Sequence, residues 1–447
     1  MGPRMKSVWI GALGFSMQSL VPMSCVCAQT QGDYIAQARS VGDFIDAVGV
    51  NTHIDARSTS YADLGRVVAS LNYVGFRYVR DDALEGGIPF NADRYLGLLS
   101  TGVKIDIASG NGGNAEVSAV VDAAEQLEQA RPGSVCFVEG YNEIDEENDP
   151  VTFDGKVSNP GSGFYQPDID AQNNLYNAVH SNPNLRNIGV LNFTFAYATR
   201  SGLVGDVKND ADYTNVHAYA VNGSPPGRAL STLIRDTVDS PGKPIVVTET
   251  GYPTIYPGSE PNKNFVDEKV QEMYLLDAIL DDFKNNVVRT YIYELLDRRA
   301  NPGDTTDQDH YGIFRYDGTP KPSATSIKSM FEILQLRAKS LSNDVATNPS
   351  YHLYTSSGIP VSYIVLEKSP STYDFIIWSE PKIWNASASS VISEQDSGDV
   401  TIKFPKIFSM LQVFDPTTGT DAITQVLGQN QYSYEVKDHP VIIEVRF

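Results

Sequence analysis

Val135-Cys136-Phe137-Val138-Glu139-Gly140-Tyr141-Asn142-Glu143 is the stretch on which the reading of the chain turns. Val135 to Val138 are four apolar or β-favouring residues in a row, the pattern of a buried strand. The chain is then expected to turn through Gly140 and deliver Tyr141, Asn142 and Glu143 to the strand's carboxyl end. In barrels and sheets of parallel strands, that end is where polar residues meet a ligand. A carboxylate there can move a proton while the neighbouring amide holds a hydroxyl. The plainer alternative is that Glu143 merely opens an acidic loop, because Asp145, Glu146, Glu147 and Asp149 follow it.

On either side of this stretch, from about Phe44 to Leu336, short β-like runs alternate with helical patterns. Before it come Val48–His53, Phe76–Arg80 and Val103–Ile107. After it come Ile188–Leu191, Tyr213–Tyr219, Pro244–Glu249 and Val288–Glu294. Between them, Leu64, Val67, Val68 and Leu71 recur at helical spacing, as do Met273, Leu276, Leu280 and Phe283. Eight strands separated by helices predict a (β/α)8 barrel, a fold that typically takes about 250 residues before insertions. The Gly-, Pro- and Asn-rich segment Asn148 to Asp168 reads as a loop on its active face. A doubly wound open sheet is disfavoured, because no Gly-rich phosphate turn follows the first strand.

After about Ser342 the runs Val361–Leu366, Tyr373–Trp378, Val400–Phe404 and Val441–Val445 come at short spacing, with Asp415-Pro416-Thr417-Thr418-Gly419 as a turn. The expectation is an α/β fold: a catalytic barrel over 29–340 and an all-β sandwich over 341–447. Residues 1–28 read as a signal peptide, with Arg4 and Lys6, an apolar run from Val8 to Val21, and small residues before cleavage after Ala28. The chain is therefore expected to be exported, periplasmic or secreted. A lipid anchor on Cys25 or Cys27 is the weaker alternative, and no membrane insertion is expected after cleavage. Cleavage leaves Cys136 as the single cysteine, read as a small core residue with no disulfide partner. Loss of Arg4 and Lys6 also takes the formal charge from −21 to −23. Such an acidic surface repels nucleic acid and anionic lipid and suits a neutral substrate.

Glu249 supplies the partner that Glu143 requires. It ends an apolar strand, and Thr250-Gly251-Tyr252-Pro253 turns the chain just beyond it. Cleaving a glycosidic bond takes two carboxyl groups facing each other across the bond. Strands four and seven of an eight-stranded barrel stand roughly opposite, so Glu143 and Glu249, 106 positions apart, are placed to do this.

An Asn-Glu pair ending strand four (Asn142-Glu143), a Glu ending strand seven (Glu249), His217-Ala218-Tyr219 on strand six and Arg80 ending strand two together resemble the clan A glycoside hydrolases. The likeness covers about residues 44 to 336 in order and spacing, and the trailing sandwich is similar to the layout of family 39. The resemblance implies that Glu143 is the acid/base and Glu249 the nucleophile of a retaining glycosidase. It implies that Tyr219 or His217 orients the nucleophile, that Arg80 bonds its carboxylate, and that Asn142 binds the sugar 2-hydroxyl. The implied substrate is an oligosaccharide, polysaccharide or glycoside, with no cofactor and no metal. Two departures bear on which sugar is taken. Strand eight ends Tyr291-Ile292-Tyr293-Glu294 where many members carry Trp, leaving Tyr293 as the stacking ring. Ile144 stands where Pro commonly follows the Asn-Glu pair.

Each of these residues also has a structural reading. His217 could be a core histidine, and Arg80 could pair with Asp81, Asp82 or Asp106. His53 either touches sugar or is structural. Glu294 either contacts ligand or partners Arg298 or Arg299. Asp145 to Asp149 are expected as a solvated rim, and Asp304, Asp307, Asp309 and His310 as a solvated loop whose spacing fits no standard metal site. No zinc motif, nucleophile elbow or P-loop is present. A non-catalytic carbohydrate-binding barrel and a transglycosylase using the same two glutamates are the competing readings.

Overall fold

The computed structural model describes residues 37–447 apart from 83–89, 111–113, 149, 228–229, 231–236, 256–263, 301–306, 336–348, 356–359 and 394–396. The expected signal segment 1–28, the boundary at 340/341 and Asp304 lie outside the described residues.

Eight parallel strands form the barrel: β1 Val48–Asn51, β2 Tyr78–Asp82, β3 Lys104–Ser109, β4 Val135–Tyr141, β5 Gly189–Leu191, β6 Thr214–His217, β7 Ile245–Thr250 and β8 Arg289–Ile292. They are ordered β5-β4-β3-β2-β1-β8-β7-β6, and a parallel bridge between Leu191 and Tyr213 joins the two ends. Gly140 lies inside β4 rather than in a turn. It is needed there because a Cβ would stand 2.0 Å from Gln172 Oε1 and 2.7 Å from the Phe193 nitrogen. The turn comes at Glu143, whose φ of 44° lies in the left-handed region that non-glycine residues seldom occupy. The segment after it is partly ordered structure, with a hairpin pairing Thr152–Phe153 to Lys156–Val157 before the helix Gln166–Ser181.

Alternation along each strand sorts the barrel residues. Val79, Ile105, Ile107 and Val138 face the surrounding helices. Tyr78, Phe137, Tyr213 and Tyr291 gather in a cluster at the barrel floor, with the Arg289 guanidinium 3.4 Å over the Tyr78 ring. Gly49 and Gly189 leave the room for these rings, since a Cβ at either would stand 2.5–2.6 Å from Tyr291 or Tyr213. Cys136 is half-buried beside this cluster, its Sγ donating to the Ile105 carbonyl at 3.1 Å.

The C-terminal region is a β-sandwich. Its larger sheet has six strands in the order Arg39–Ser40, Ser362–Ser369, Thr372–Trp378, Val441–Arg446, Met410–Phe414 and Ala422–Leu427. The smaller sheet contains His352–Thr355, Gly398–Lys403 and Gln431–Val436. Arg39–Ser40 pairs in parallel with Leu366 and Glu367, so a segment preceding the barrel completes the sandwich's sheet. The strand Thr372–Trp378 ends in the apolar run Phe375–Trp378 because it is buried on both faces. Phe375 and Ile377 enter the sandwich core, while Ile376 and Trp378 join the core shared with the barrel helices. Trp378 Nε1 donates to Asp281 on the helix Glu268–Lys284 at 3.0 Å. That helix is consequently buried almost all round rather than along one stripe.

Candidate active site

The carboxyl ends of β2, β4, β6 and β7 converge on one cluster. Arg80, on β2, is 4% exposed and spends all five of its N–H donors inside the barrel. Nε and Nη2 donate to Glu139 at 2.7 and 3.1 Å, and Nη2 also donates to Asn142 Oδ1 at 3.0 Å. Nη1 donates to Asn51 Oδ1 at 3.0 Å and to Glu249 Oε1 at 2.6 Å. None of the partners weighed for it in the sequence, Asp81, Asp82 and Asp106, is among these. Asp81 faces outward and accepts from Thr52, the Ile54 nitrogen and Tyr95.

Glu249 reaches the interior through an irregularity. Thr248 already points inward, its hydroxyl bonded to Asn215 at 2.5 Å, and strict alternation would send Glu249 out. The pairing of β7 with β6 shifts register between Val247 and Glu249, which turns the second carboxylate inward as well. Glu249 Oε2 then accepts the Tyr219 hydroxyl at 2.7 Å. Burial raises the Glu249 carboxyl, but the charges of His217 and Arg80 and the hydrogen bonds from Tyr219 and Arg80 outweigh it, leaving it below the ordinary carboxylate range.

Glu143 rises from the strained turn beyond β4. Its backbone nitrogen is held by Thr194 Oγ1 at 2.8 Å, and the next nitrogen by the Thr194 carbonyl at 3.0 Å. Its Oε1 lies 2.8 Å from His217 Nδ1, which is also 3.6 Å from Glu249 Oε2. The imidazole therefore sits between the two carboxylates. Burial opposes its charge, yet Glu249 and Glu143 together hold it above the usual histidine range. One ligand-type atom each of Glu143, His217 and Glu249 lies within 4.8 Å of the others, the one such group among the described residues. That spacing also suits a metal ion. However, the Arg80 guanidinium already pairs with Glu249 and the His217 imidazole stands near both carboxylates, and a dication would be set against that positive charge.

The two residues after Glu143 are both buried, which overturns the solvated rim expected to begin at Asp145. Ile144 is fully buried in the hydrophobic core, so it packs the barrel and does not face the cleft. Asp145 is buried too, not part of a solvated rim. It accepts the Ala196 and Tyr197 nitrogens at 2.7 and 3.2 Å and pairs with Arg200, tying the β4 and β5 loops together. Asp309 and His310 are likewise buried rather than solvated. Asp309 faces Arg299 at 3.6 Å, and the His310 ring packs on Phe265.

His53, Tyr293 and Glu294 form an adjoining group. Glu294 is fully buried, bonded to Tyr61 at 3.1 Å and Arg298 at 3.2 Å, with His53 at 3.3 Å. Of the two roles read for it, the structure shows the pairing with Arg298. Arg298 Nη2 donates to the Tyr293 hydroxyl at 2.6 Å and lies 2.8 Å from His53 Nε2. The Tyr293 ring meets Tyr219 and Tyr311 edge-on, at centroid distances of 6.2 and 5.3 Å, joining this group to the carboxylates. Glu139, Asn51, Asn215, Thr194 and Arg298 were not singled out from sequence as parts of the site. For Glu139 the one signal was its position two residues after Phe137, on the barrel's inner face.

The fold, an eight-stranded parallel barrel with a β-sandwich beside it, is similar to that of glycoside hydrolases of the family 39 layout. Solved structures share it. A monomeric β-xylosidase from Caulobacter crescentus CB15 superposes with a TM-score of 0.54 at 16% identity, over 92% of this chain and 98% of that one. The GH39 enzyme from Xanthomonas axonopodis pv. citri gives 0.52 at 11% identity, over 92% and 96%. A GH39 β-xylosidase structure from Caulobacter crescentus gives 0.51 at 15% identity, over 92% and 98%. No protein-family model matches the chain, and no curated relative does.

Proposed function

We propose that this chain is an exported retaining glycoside hydrolase in which Glu249 is the nucleophile and Glu143 the acid/base. The observation that carries the reading is the pair itself. Carboxylate oxygens of Glu143 and Glu249 approach within 4.8 Å at the ends of β4 and β7. Retaining enzymes hold their two carboxyl groups about 5–5.5 Å apart, whereas inverting ones leave about 6.5–9.5 Å for a water.

The division of labour follows from the surroundings. Glu249 carries two donors, Arg80 and Tyr219, that favour its ionised form and a free attack on the anomeric carbon. Glu143 is the more exposed of the two, suited to exchanging protons with leaving group and water. In the first step a Glu249 oxygen bonds to the anomeric carbon while the leaving-group oxygen departs with the Glu143 proton. In the second, water attacks the same carbon, gives its proton to Glu143 and releases Glu249. Asn142, its carbonyl oxygen held by Arg80, keeps its NH2 as a donor toward a sugar hydroxyl. Tyr293 offers its ring as a wall of the sugar site.

Because structures of the same layout include β-xylosidases, β-xylosides head the substrate screen. The deciding experiment incubates the chain with aryl glycosides and follows the first-formed anomer by NMR, with mass spectrometry of the enzyme after a 2-deoxy-2-fluoroglycosyl inactivator. Retention and a label on Glu249 are expected. Inversion, or a label elsewhere, would refute the assignment. Export is checked by sequencing the mature amino terminus, which is expected to begin after Ala28.

A further inference from the structure

We infer that Glu139 is a positioning residue for Glu249, holding one edge of the Arg80 guanidinium so that the other edge is presented to the nucleophile. The inference rests on the reading of Glu249 as nucleophile.

Glu139 is 1% exposed and lies on β4, below the mouth. It grips Nε and Nη2 of Arg80, a two-point hold that fixes the plane of the guanidinium. Only Nη1 then remains to serve Glu249 and Asn51. A second path leads back from Glu139 to the strand of the nucleophile. Asn215 Nδ2 donates to Glu139 Oε2 at 3.0 Å, and Asn215 Oδ1 accepts the hydroxyl of Thr248, the residue before Glu249. Asp106, fully buried on β3, stands against Glu139, and burial followed by the Glu139 charge raises its carboxyl well above the ordinary range. One charged guanidinium is thus shared between two carboxylates, of which only Glu249 reaches the cleft.

The sharing matters because the two carboxylates differ during the reaction. When Glu249 becomes an ester, its charge leaves with the broken bond, and Arg80 would stand as a buried cation without a counter-ion if Glu139 were absent. Glu139 supplies that counter-ion throughout. It also keeps Arg80 from over-stabilising Glu249 in the free enzyme, where excess stabilisation of the carboxylate would slow its attack.

Glu139→Gln tests this. Aryl glycosides with ordinary leaving groups report formation of the glycosyl-enzyme, and dinitrophenyl glycosides report its hydrolysis. Expected is a loss of roughly tenfold or more in kcat/KM on the ordinary substrates, with kcat on dinitrophenyl substrates held or raised. The acidic limb of the kcat/KM profile, set by Glu249, moves to lower pH. The groups facing Glu249 in that titration are Arg80 from β2, His217 and Tyr219 from β6 and its loop, and Glu143 from β4. Asp106 lies behind Glu139, and Tyr293 and Tyr311 pack on Tyr219. Glu139→Asp keeps the buried charge but draws it back by one methylene, and a smaller shift in the same direction is expected should the glutamine variant not fold. An unchanged profile, or an equal loss in both steps with the acidic limb in place, overturns the inference while a working wild-type enzyme leaves Glu249 as nucleophile. A wild type inert on every glycoside, or an active Glu249→Gln, overturns both.

Discussion

The Tyr219 hydroxyl donates to Glu249 Oε2 at 2.7 Å, from a ring braced edge-on by Tyr293 and Tyr311. This bond favours the ionised carboxylate, which is already held below its usual range. In Tyr219→Phe the acidic limb of kcat/KM is expected to move up by about one pH unit, as one lost charge-assisted bond of ~1.5 kcal/mol implies. A pH–rate series on wild type and variant measures it. A limb that stays in place would detach Tyr219 from the nucleophile.

Glu249→Gln is expected to lose activity on all glycosides by about four orders of magnitude or more, since an amide cannot replace the carboxylate as nucleophile. Glu143→Ala is expected to spare dinitrophenyl substrates, whose leaving group needs no proton, far more than ordinary ones. Azide added to Glu143→Ala should restore turnover by attacking in place of water. Equal losses on both substrate classes would remove Glu143 from the acid/base role.

Arg80→Lys keeps a charge but loses the fork that serves four partners at once. A fall in kcat of about 10²-fold is expected, together with a lower melting temperature, because Glu139 loses its two-point partner inside the barrel. Activity assays and thermal melts of the variant read the two effects separately.

Asp281 links stability to pH at the junction of barrel and sandwich. Burial, then the neighbouring Glu380, pushes its carboxyl up to about 9. A carboxyl raised in the folded state is neutral there while the unfolded chain ionises it near pH 4. Stability is therefore greatest below that range and is lost as pH climbs toward 9. Asp281→Asn keeps an acceptor for Trp378 and removes the titration. At pH 7 it is expected to stabilise by at least about 1 kcal/mol, and to flatten the melting temperature between pH 5 and 8.

Dialysis against EDTA is expected to leave activity unchanged, because Arg80 and His217 already supply the positive charge beside Glu249. Loss of activity restored by a divalent cation would place a metal among Glu143, His217 and Glu249.

The barrel was legible because each strand announces itself twice, by an apolar run and by polar residues at its carboxyl end. Asn142, Glu143, Arg80, His217, Tyr219 and Glu249 all come from such ends, and the fold brings them within a few ångströms of each other. What lay deeper was less legible. Glu139 in the middle of an apolar run gives no local sign that Arg80 stands at the same height on a strand two places away. Asp145 was misread because nothing in the sequence shows that the chain bends at Glu143 itself. That bend sends the two following side chains back beneath the β5 loop. Asp309 and His310 look like an acidic loop until Arg299 and Phe265 are seen to close over them.

The pairing of Arg39–Ser40 with the sandwich's larger sheet means that described residues on both sides of the barrel in sequence belong to the same domain. The barrel is thus an insertion between one strand of the sandwich and the rest. A scission near the apparent domain junction would leave one fragment with a strand and no sheet, and the other with a sheet face bared at Ile376 and Trp378. The two halves are consequently expected to melt in a single transition, and any exchange of sandwiches between barrels of this layout must carry the Arg39–Ser40 strand along with it.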